Sequence, residues 1–505
     1  MIMTEMNNPL YVDFKGKYGE VPFSKIKTEH FEPTIKRGIA LAQKEIDAIC
    51  NNPQEPDFEN TVVALEKAGK ELDRALNVFY PLNSALSDDE LMDISLKVAP
   101  ALSEYSTSIT LNEALWQRIK AVYDNRHRYN LDGEDMMLLT ETYDSFRRSG
   151  ALLDERGREK LKKINAELTE LTTVFGQNVL KELNTYKIYL TDKDIAGLPQ
   201  RIIAQAKSEA AAEGREGEYL FNLSQPVYMS VMKYCDSREI REKFYRLYTG
   251  RNISGEYSNM DVVLKIARLR LEKARLLGFD TYADMKLSHT MAKTKENVFS
   301  LLDDLAAAYR PAQVKEFEEL NAFAAAENIL NDEMKPWDYS YVANKLKEAK
   351  YRCDEEQFRP YFPLDAVKKG VFGLAERLYG ITFRKVDIDV YHPDVEVFEV
   401  RDEDGSYLGL LYTDFFPRES KRPGAWMTDF SGMWRNEDGS EHRPHVSVVM
   451  NFTKPHGNAP SLLSTSEVET FLHEFGHALH GLLAKSKYAS LSGTNVYRDF
   501  VELPS

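Results

Sequence analysis

The chain has 505 residues, of which 43% are hydrophobic and 29% charged, and its formal net charge is −15 at pH 7. These proportions are ordinary for a globular protein with a sizeable core in two or more lobes, while the negative charge argues against nucleic acid as a partner. Cys50, Cys235 and Cys353 are few and far apart, which argues against a disulfide framework and fits a reducing compartment.

The first ten residues lack the basic and apolar regions of a signal peptide. No run of about 18 apolar residues occurs, so the sequence predicts no membrane-spanning helix and no membrane partner. We expect a cytoplasmic monomer, unless an export signal has been removed.

Helical spacing of apolar residues dominates the first half of the chain. It runs through residues 28–51, 61–101 with a break near Pro81, 111–129, 133–149 and 155–182, and the last stretch is typical of a core seam between antiparallel helices. Short strands near residues 186–190 and 218–223 indicate a junction. The sequence therefore predicts an N-terminal helical lobe over residues 1–230.

The second half, residues 231–505, is predicted to form the second domain. Helical patterns resume and continue to residue 378, and β-branched and aromatic residues then concentrate between residues 381 and 453. The sequence thus predicts a mainly α fold with a small β-sheet next to a last long helix.

That last helix, in residues 464–484, carries a metal-binding motif. Ser464 and Glu467 are spaced as a capping box. His473 and His477 form the pattern H-E-x-x-H, in which two imidazoles one helical turn apart can reach the same metal ion. Glu474 lies about 100° around the helix from His473, where its carboxylate can touch metal-bound water.

A third ligand is predicted at Glu502, 25 residues after His477. We expect it on a second helix, completing a site for one Zn²⁺ per chain with an open fourth position. His480 lies one turn further along and is predicted to support a ligand rather than to bind the ion. Glu469 and Asp499 are candidates to hydrogen-bond the distal nitrogen of a ligand histidine, the alternative being solvent-facing carboxylates.

The runs from His473 to Leu482 and from Ser490 to Ser505 resemble the thimet oligopeptidase family (M3) of zinc metallopeptidases, and bacterial peptidyl-dipeptidases within it. The runs 421–427 and 451–455 are similar to the same family. The resemblance implies two helical lobes around a deep channel that admits short unstructured peptides and excludes folded proteins. It also implies hydrolysis of peptide bonds with release of C-terminal dipeptides.

In such an enzyme we predict that Glu474 takes the proton of the attacking water and passes it to the leaving amine. In metallopeptidases of this type, a strand flanking the zinc helix pairs with the substrate backbone. Residues 445–452 are our candidate, and an ordinary core strand is the alternative. Residues 422–427 are predicted to shape the wall of the cleft.

Members of this family continue beyond the position that corresponds to Ser505. We therefore expect a chain that stops three residues after Glu502 to have an incomplete catalytic lobe, weak zinc affinity and little or no peptidase activity. An alternative is a helical peptide-binding or scaffold protein whose metal site is vestigial in this truncated form. A zinc hydrolase that does not act on peptides is disfavoured by the resemblance around His473 and Glu502.

Overall fold

The computed structural model describes residues 8–86, 88–352, 357–418, 420–452 and 460–505. Cys353 and residues 453–455 of the family-like run lie outside the described residues. The described chain is mainly helical with a small mixed sheet beside the last long helix, so the predicted fold class is confirmed.

Helices make up most of the described chain, and the longer strands follow them between residues 382 and 449. The helices are α1 (Phe31–Cys50), α2 (Ala64–Lys67), α3 (Lys70–Ala85), α4 (Asp89–Thr110), α5 (Glu113–Asp124), α6 (Gly133–Arg148), α7 (Glu155–Thr185), α8 (Gln200–Ala212), α9 (Gln225–Tyr234), α10 (Arg238–Thr249), α11 (Met260–Leu276), α12 (Tyr282–Leu287), α13 (Lys295–Ala326), α14 (Tyr339–Tyr351), α15 (Leu364–Tyr379) and α16 (Thr465–Leu482). The strands are β1 (Ile188–Leu190), β2 (Tyr219–Phe221), β3 (Thr382–Val386), β4 (Glu396–Arg401), β5 (Tyr407–Asp414), β6 (Trp426–Ser431), β7 (Trp434–Arg435), β8 (Glu441–His442) and β9 (His445–Val449).

The chain forms two compact units. One comprises Met1–Arg158 and Glu355–Ser505, and the other comprises Glu159–Asp354. The predicted division at residue 230 lies inside the second unit, within α9, and coincides with neither junction. The division into domains 1–230 and 231–505 stays a prediction.

The main sheet belongs to the first unit and has the strand order β3-β4-β5-β9-β6. Neighbouring strands are antiparallel except for β5 and β9, which are parallel. Apolar side chains alternate between its two faces. One face packs against α15 and α16, and the other packs against α1, α3 and α4.

Aromatic side chains dominate the contact between α16 and the sheet. Phe471 and Phe475 are 0% and 3% exposed and pack with Val446 and Val448 of β9. Burying each such side chain stabilises the fold by about 1.5–3 kcal/mol. The apolar face of α16 therefore fixes the helix against the sheet and leaves its histidine face outside this core.

Strand β9 lies between β5 and β6, so both of its edges are hydrogen-bonded within the sheet. The prediction that residues 445–452 pair with a substrate backbone is therefore wrong, and the alternative of a core strand is correct. All five residues of β9 are buried, because helices cover both faces of the sheet. Strand β6 lies at an edge of the sheet instead.

None of the helices in the described ranges combines the length and the apolar character that crossing a membrane requires.

Candidate metal centre and active site

Helix α16 is fixed at both ends. At its start the Ser464 hydroxyl accepts the Glu467 backbone N–H at 3.2 Å, and the Glu467 carboxylate accepts the Ser464 N–H at 2.7 Å, which is the predicted capping box. At its end the buried Arg443 donates to the carbonyls of Leu482 at 2.6 Å and Ala484 at 3.0 Å. A cation at this end also favours the helix dipole.

The structure brings His473, His477 and Glu502 together. The two imidazole rings lie one turn apart on α16, with centroids separated by 4.9 Å. One carboxylate oxygen of Glu502 lies 3.3 Å from Nε2 of His473 and 3.2 Å from Nε2 of His477. These three residues are the His/Cys/Asp/Glu group in the described ranges whose ligand atoms are all close enough to share one metal ion.

The spacing of these atoms fits a zinc ion. Zinc binds imidazole nitrogen and carboxylate oxygen at about 2.0–2.2 Å in a tetrahedral arrangement, which puts neighbouring ligand atoms about 3.3 Å apart. Both nitrogen–oxygen separations to Glu502 agree with that value. Two imidazoles and one carboxylate are also a ligand set that leaves one position for water.

The three side chains differ in exposure. Those of His473 and Glu502 are 46% and 62% exposed, whereas that of His477 is 12% exposed. Nδ1 of His477 is buried and has no hydrogen-bond partner among the described residues. The centre is thus open to solvent on one side and buried on the other.

Glu474 points to the sheet rather than into solvent and is 7% exposed. Burial raises the pKa of its carboxyl group, while the charges of His473 and His477 and a hydrogen bond from the Met427 backbone act in the opposite direction. Met427 belongs to the edge strand β6, so this hydrogen bond joins Glu474 to the edge of the sheet. From the sequence, residues 422–427 were predicted to shape the wall of the cleft, but the edge strand that begins at Trp426 was not predicted.

The segment that carries Glu502 consists of turns, so the predicted second helix is wrong. Its backbone bonds run from Phe500 and Val501 to the carbonyl of Tyr497, and from Leu503 to the carbonyl of Phe500. Pro504 has no N–H group and cannot extend a helical pattern. Glu502 nevertheless reaches the histidines as predicted.

Gly476 explains how this segment approaches α16. A Cβ atom at residue 476 would lie 2.6 Å from the carbonyl oxygen of Pro504 and 2.6 Å from Cα of Ser505. Such contacts are too short for any side chain, so the glycine inside the H-E-x-x-H pattern gives the chain beyond Glu502 room to pack on the helix.

The predicted supporting residues lie outside the group of three. The ring of His480 packs near Phe500 with centroids 6.4 Å apart, and its Nδ1 is buried without a hydrogen-bond partner among the described residues. Burial lowers the pKa of His480. Glu469 and Asp499 are both exposed. Support of the ligands by these residues stays a prediction.

Comparison with known proteins shows the family to which this chain is related. The model of peptidase family M3 matches residues 231–505. Over 508 residues the chain is 36% identical to Oligopeptidase A of Salmonella typhimurium, an alignment that covers 99% of this chain and 74% of that relative. The chain belongs to peptidase family M3. The resemblance derived from the sequence is confirmed.

Other relatives of this M3 peptidase have similar sequence identity to it but carry different names. Dipeptidyl carboxypeptidase of the same bacterium is 36% identical over 507 residues, covering 99% of this chain and 73% of the relative. Probable cytosolic oligopeptidase A of Arabidopsis thaliana is 32% identical over 517 residues, covering 99% and 73%. Identity alone therefore does not separate the two activities that these names describe.

Proposed function

We propose that this M3 peptidase is a zinc-dependent enzyme that hydrolyses peptide bonds of short oligopeptides. His473, His477 and Glu502 hold one zinc ion, and Glu474 is the catalytic acid–base group. The observation that carries this proposal is the convergence of two imidazole nitrogens and one carboxylate oxygen at separations that suit zinc, beside a buried carboxyl group.

The chemistry divides between the ion and the protein. Zinc, when bound, acts as a Lewis acid and lowers the pKa of water toward 7. The carboxylate of Glu474 accepts a proton from the water that attacks the peptide carbonyl, and then donates it to the leaving nitrogen as the C–N bond breaks. Burial supports this role, because it favours the protonated form that must persist between the two transfers.

Strand β6 is the proposed binding edge for substrate. Among the described strands its hydrogen-bonded neighbour is β9 on one side, and the other side is free. An extended peptide added there gains main-chain hydrogen bonds with little demand on its side chains. Because Met427 of β6 contacts Glu474 through its backbone, a peptide on this edge passes close to the acid–base group.

The role of Glu474 is tested by Glu474→Gln at saturating zinc. We expect bound zinc to stay at one ion per chain, while kcat on a quenched peptide falls about 10²–10⁴-fold, since this is the usual contribution of acid–base catalysis. The matched control is Glu376→Gln, which changes an exposed carboxylate on α15. Full activity of Glu474→Gln relative to the wild type would contradict the proposal. The same assay on the wild type tests the low activity expected from the sequence.

The cleavage mode that we propose is release of C-terminal dipeptides, supported by the relative named Dipeptidyl carboxypeptidase. Mass spectrometry of a time course on an unstructured peptide should show successive loss of residue pairs from the C-terminus. Early internal cuts would instead assign an oligopeptidase mode. A cytoplasmic location and a monomeric state stay predictions.

A further inference from the structure

Glu502 lies on a long connection that we call the return segment, residues 483–505. Its regular structure in the described chain is one short 3-10 turn, Ala489–Leu491. The Glu502 side chain is 62% exposed, so packing around it does not fix its position. A loop of this length loses substantial entropy when its end is held, and other contacts must therefore hold the segment in place.

Those contacts concentrate at Lys487 and Tyr488, where the return segment meets the start of α6. The Lys487 ammonium lies 3.0 Å from Oδ1 of Asp135 and also contacts the carboxylate of Asp132. The Lys487 backbone N–H donates to Oε1 of Glu134 at 3.1 Å, and the Tyr488 hydroxyl donates to Oδ1 of Asp135 at 2.7 Å. Two consecutive residues thus engage three carboxylates.

The acceptor side is organised by α6 itself. Asp132 is the N-cap of α6 and accepts the backbone N–H groups of Glu134 and Asp135 at 3.0 Å each. Asp135 returns a bond by accepting the Asp132 N–H at 3.1 Å through its other oxygen. The Asp135 side chain is 14% exposed. Its carboxylate is therefore held in one orientation, and less screened by solvent than a surface ion pair.

Apolar packing accompanies these polar contacts. The Tyr488 ring lies against Phe58 with centroids 6.5 Å apart, and Leu491 joins the same buried cluster with Val62 and Leu138. Hydrogen bonding to Asp132 raises the pKa of Lys487, and burial raises the pKa of Tyr488, so both groups keep their protons near neutral pH.

Two further contacts lead from this point towards Glu502. The Ser490 N–H donates to Oε1 of Glu66 at 3.0 Å, and the Tyr497 hydroxyl donates to Oε1 of Glu141 on α6 at 3.1 Å. The carbonyl of Tyr497 in turn accepts the N–H groups that start the turn before Glu502. Carboxylates of the N-terminal helical region are the acceptors throughout.

We infer that Lys487 and Tyr488 are positioning residues for the metal centre. By holding the return segment on α6, they keep the carboxylate of Glu502 within reach of His473 and His477. This inference rests on the proposed zinc site and extends it to residues that do not touch the ion.

The test measures zinc affinity, because a positioning residue acts on a ligand and not on the chemical step. Lys487→Met keeps most of the length of the side chain without its charge, and Tyr488→Phe keeps the ring without its hydroxyl group. For the double variant we expect a zinc Kd about ten-fold higher. This is the lower end of the loss in metal affinity that is usual when a residue supporting a ligand is mutated. Excess zinc should restore kcat with KM unchanged.

The matched control is Lys36→Met, which removes an exposed lysine that pairs with Glu32 at 2.6 Å on α1. Zinc Kd is obtained by competition with a chromophoric chelator, and the melting temperature of the zinc-free protein is recorded in parallel. Hydrogen exchange at the amides of residues 487 and 490 should slow when zinc is added to the wild type.

The outcomes separate the two proposals. A wild type that binds zinc and a double variant that binds it more weakly, with the control unchanged, support the positioning role. Equal zinc Kd values in wild type and double variant overturn it, and a fall in melting temperature alone then assigns a purely structural role. A wild type without measurable zinc binding overturns the proposed function as well.

Discussion

Asp429 has a buried carboxyl group on the edge strand β6, and its Oδ1 has no hydrogen-bond partner in the described structure. It faces α16 close to Gly481, where an added Cβ would lie 3.7 Å from that oxygen. Burial raises the pKa of Asp429 to about 7. At neutral pH the group is therefore balanced between a neutral and a charged form in a place that disfavours charge.

This predicts a pH-dependent cost in stability. The pKa of the unfolded chain is near its ordinary value of about 3.9, so the folded state binds more protons between that value and 7. The free energy of unfolding should fall over this range, by at most about 4 kcal/mol, since one pKa unit is about 1.4 kcal/mol. With a chelator present to remove metal ions, the difference between the denaturation midpoints of Asp429→Asn and wild type should increase in favour of the variant between pH 5 and pH 8. Parallel pH profiles would contradict this.

At the same scale, the spacing of His473, Glu474 and His477 predicted the local geometry of the centre well. Helical periodicity fixes which side chains share a face, and this needs no knowledge of the rest of the fold. Arg443, Lys487 and Asp429 carry no comparable local pattern. Their surroundings are formed by segments distant in sequence, so their roles could be recognised only from the structure.

At the scale of the element, α16 and the return segment depend on Gly476. A glycine inside a helix normally costs about 1 kcal/mol relative to alanine, so Gly476→Ala should favour the isolated helix. The added Cβ would meet backbone atoms of Pro504 and Ser505, which cannot move aside as a side chain does. We expect a zinc Kd at least ten-fold higher, because displacing these residues displaces Glu502.

The control for this variant is Gly370→Ala on α15, where an added Cβ has no heavy atom of the described chain within 4 Å. Chelator competition gives both zinc Kd values, and far-ultraviolet circular dichroism checks that helix content is retained. Unchanged zinc affinity in Gly476→Ala would mean that the return segment accommodates the methyl group without moving Glu502.

Other elements show where local patterns mislead. The break predicted near Pro81 is absent, and α3 runs through this residue. Pro81 is buried in the helix between Val78 and Leu82, which pack against the sheet, and this packing offsets the lost backbone hydrogen bond. Alternation likewise predicted strand β9 but not its central place, because strand order depends on crossovers that a single segment does not encode.

At the scale of the whole molecule, the sequence predicted a mainly helical fold with a small sheet beside a last long helix, and the structure agrees. The division near residue 230, which was based on two short strands, stays a prediction, and the first unit joins residues 1–158 to residues 355–505. A unit that combines two segments distant in sequence cannot be recognised from local composition or local patterns. The contact between Lys487 and Asp135, for example, joins residues 352 positions apart.

That separation sets an order of events during translation. At about 5–20 residues per second, a ribosome needs roughly 20–70 s to proceed from Asp135 to Lys487. For most of this interval the strands of the main sheet, which complete the core of the amino-terminal helices, have not yet been synthesised. Chaperones therefore have a long window in which to engage the newborn chain, and the proposed zinc site can form only once His473, His477 and Glu502 have all been synthesised.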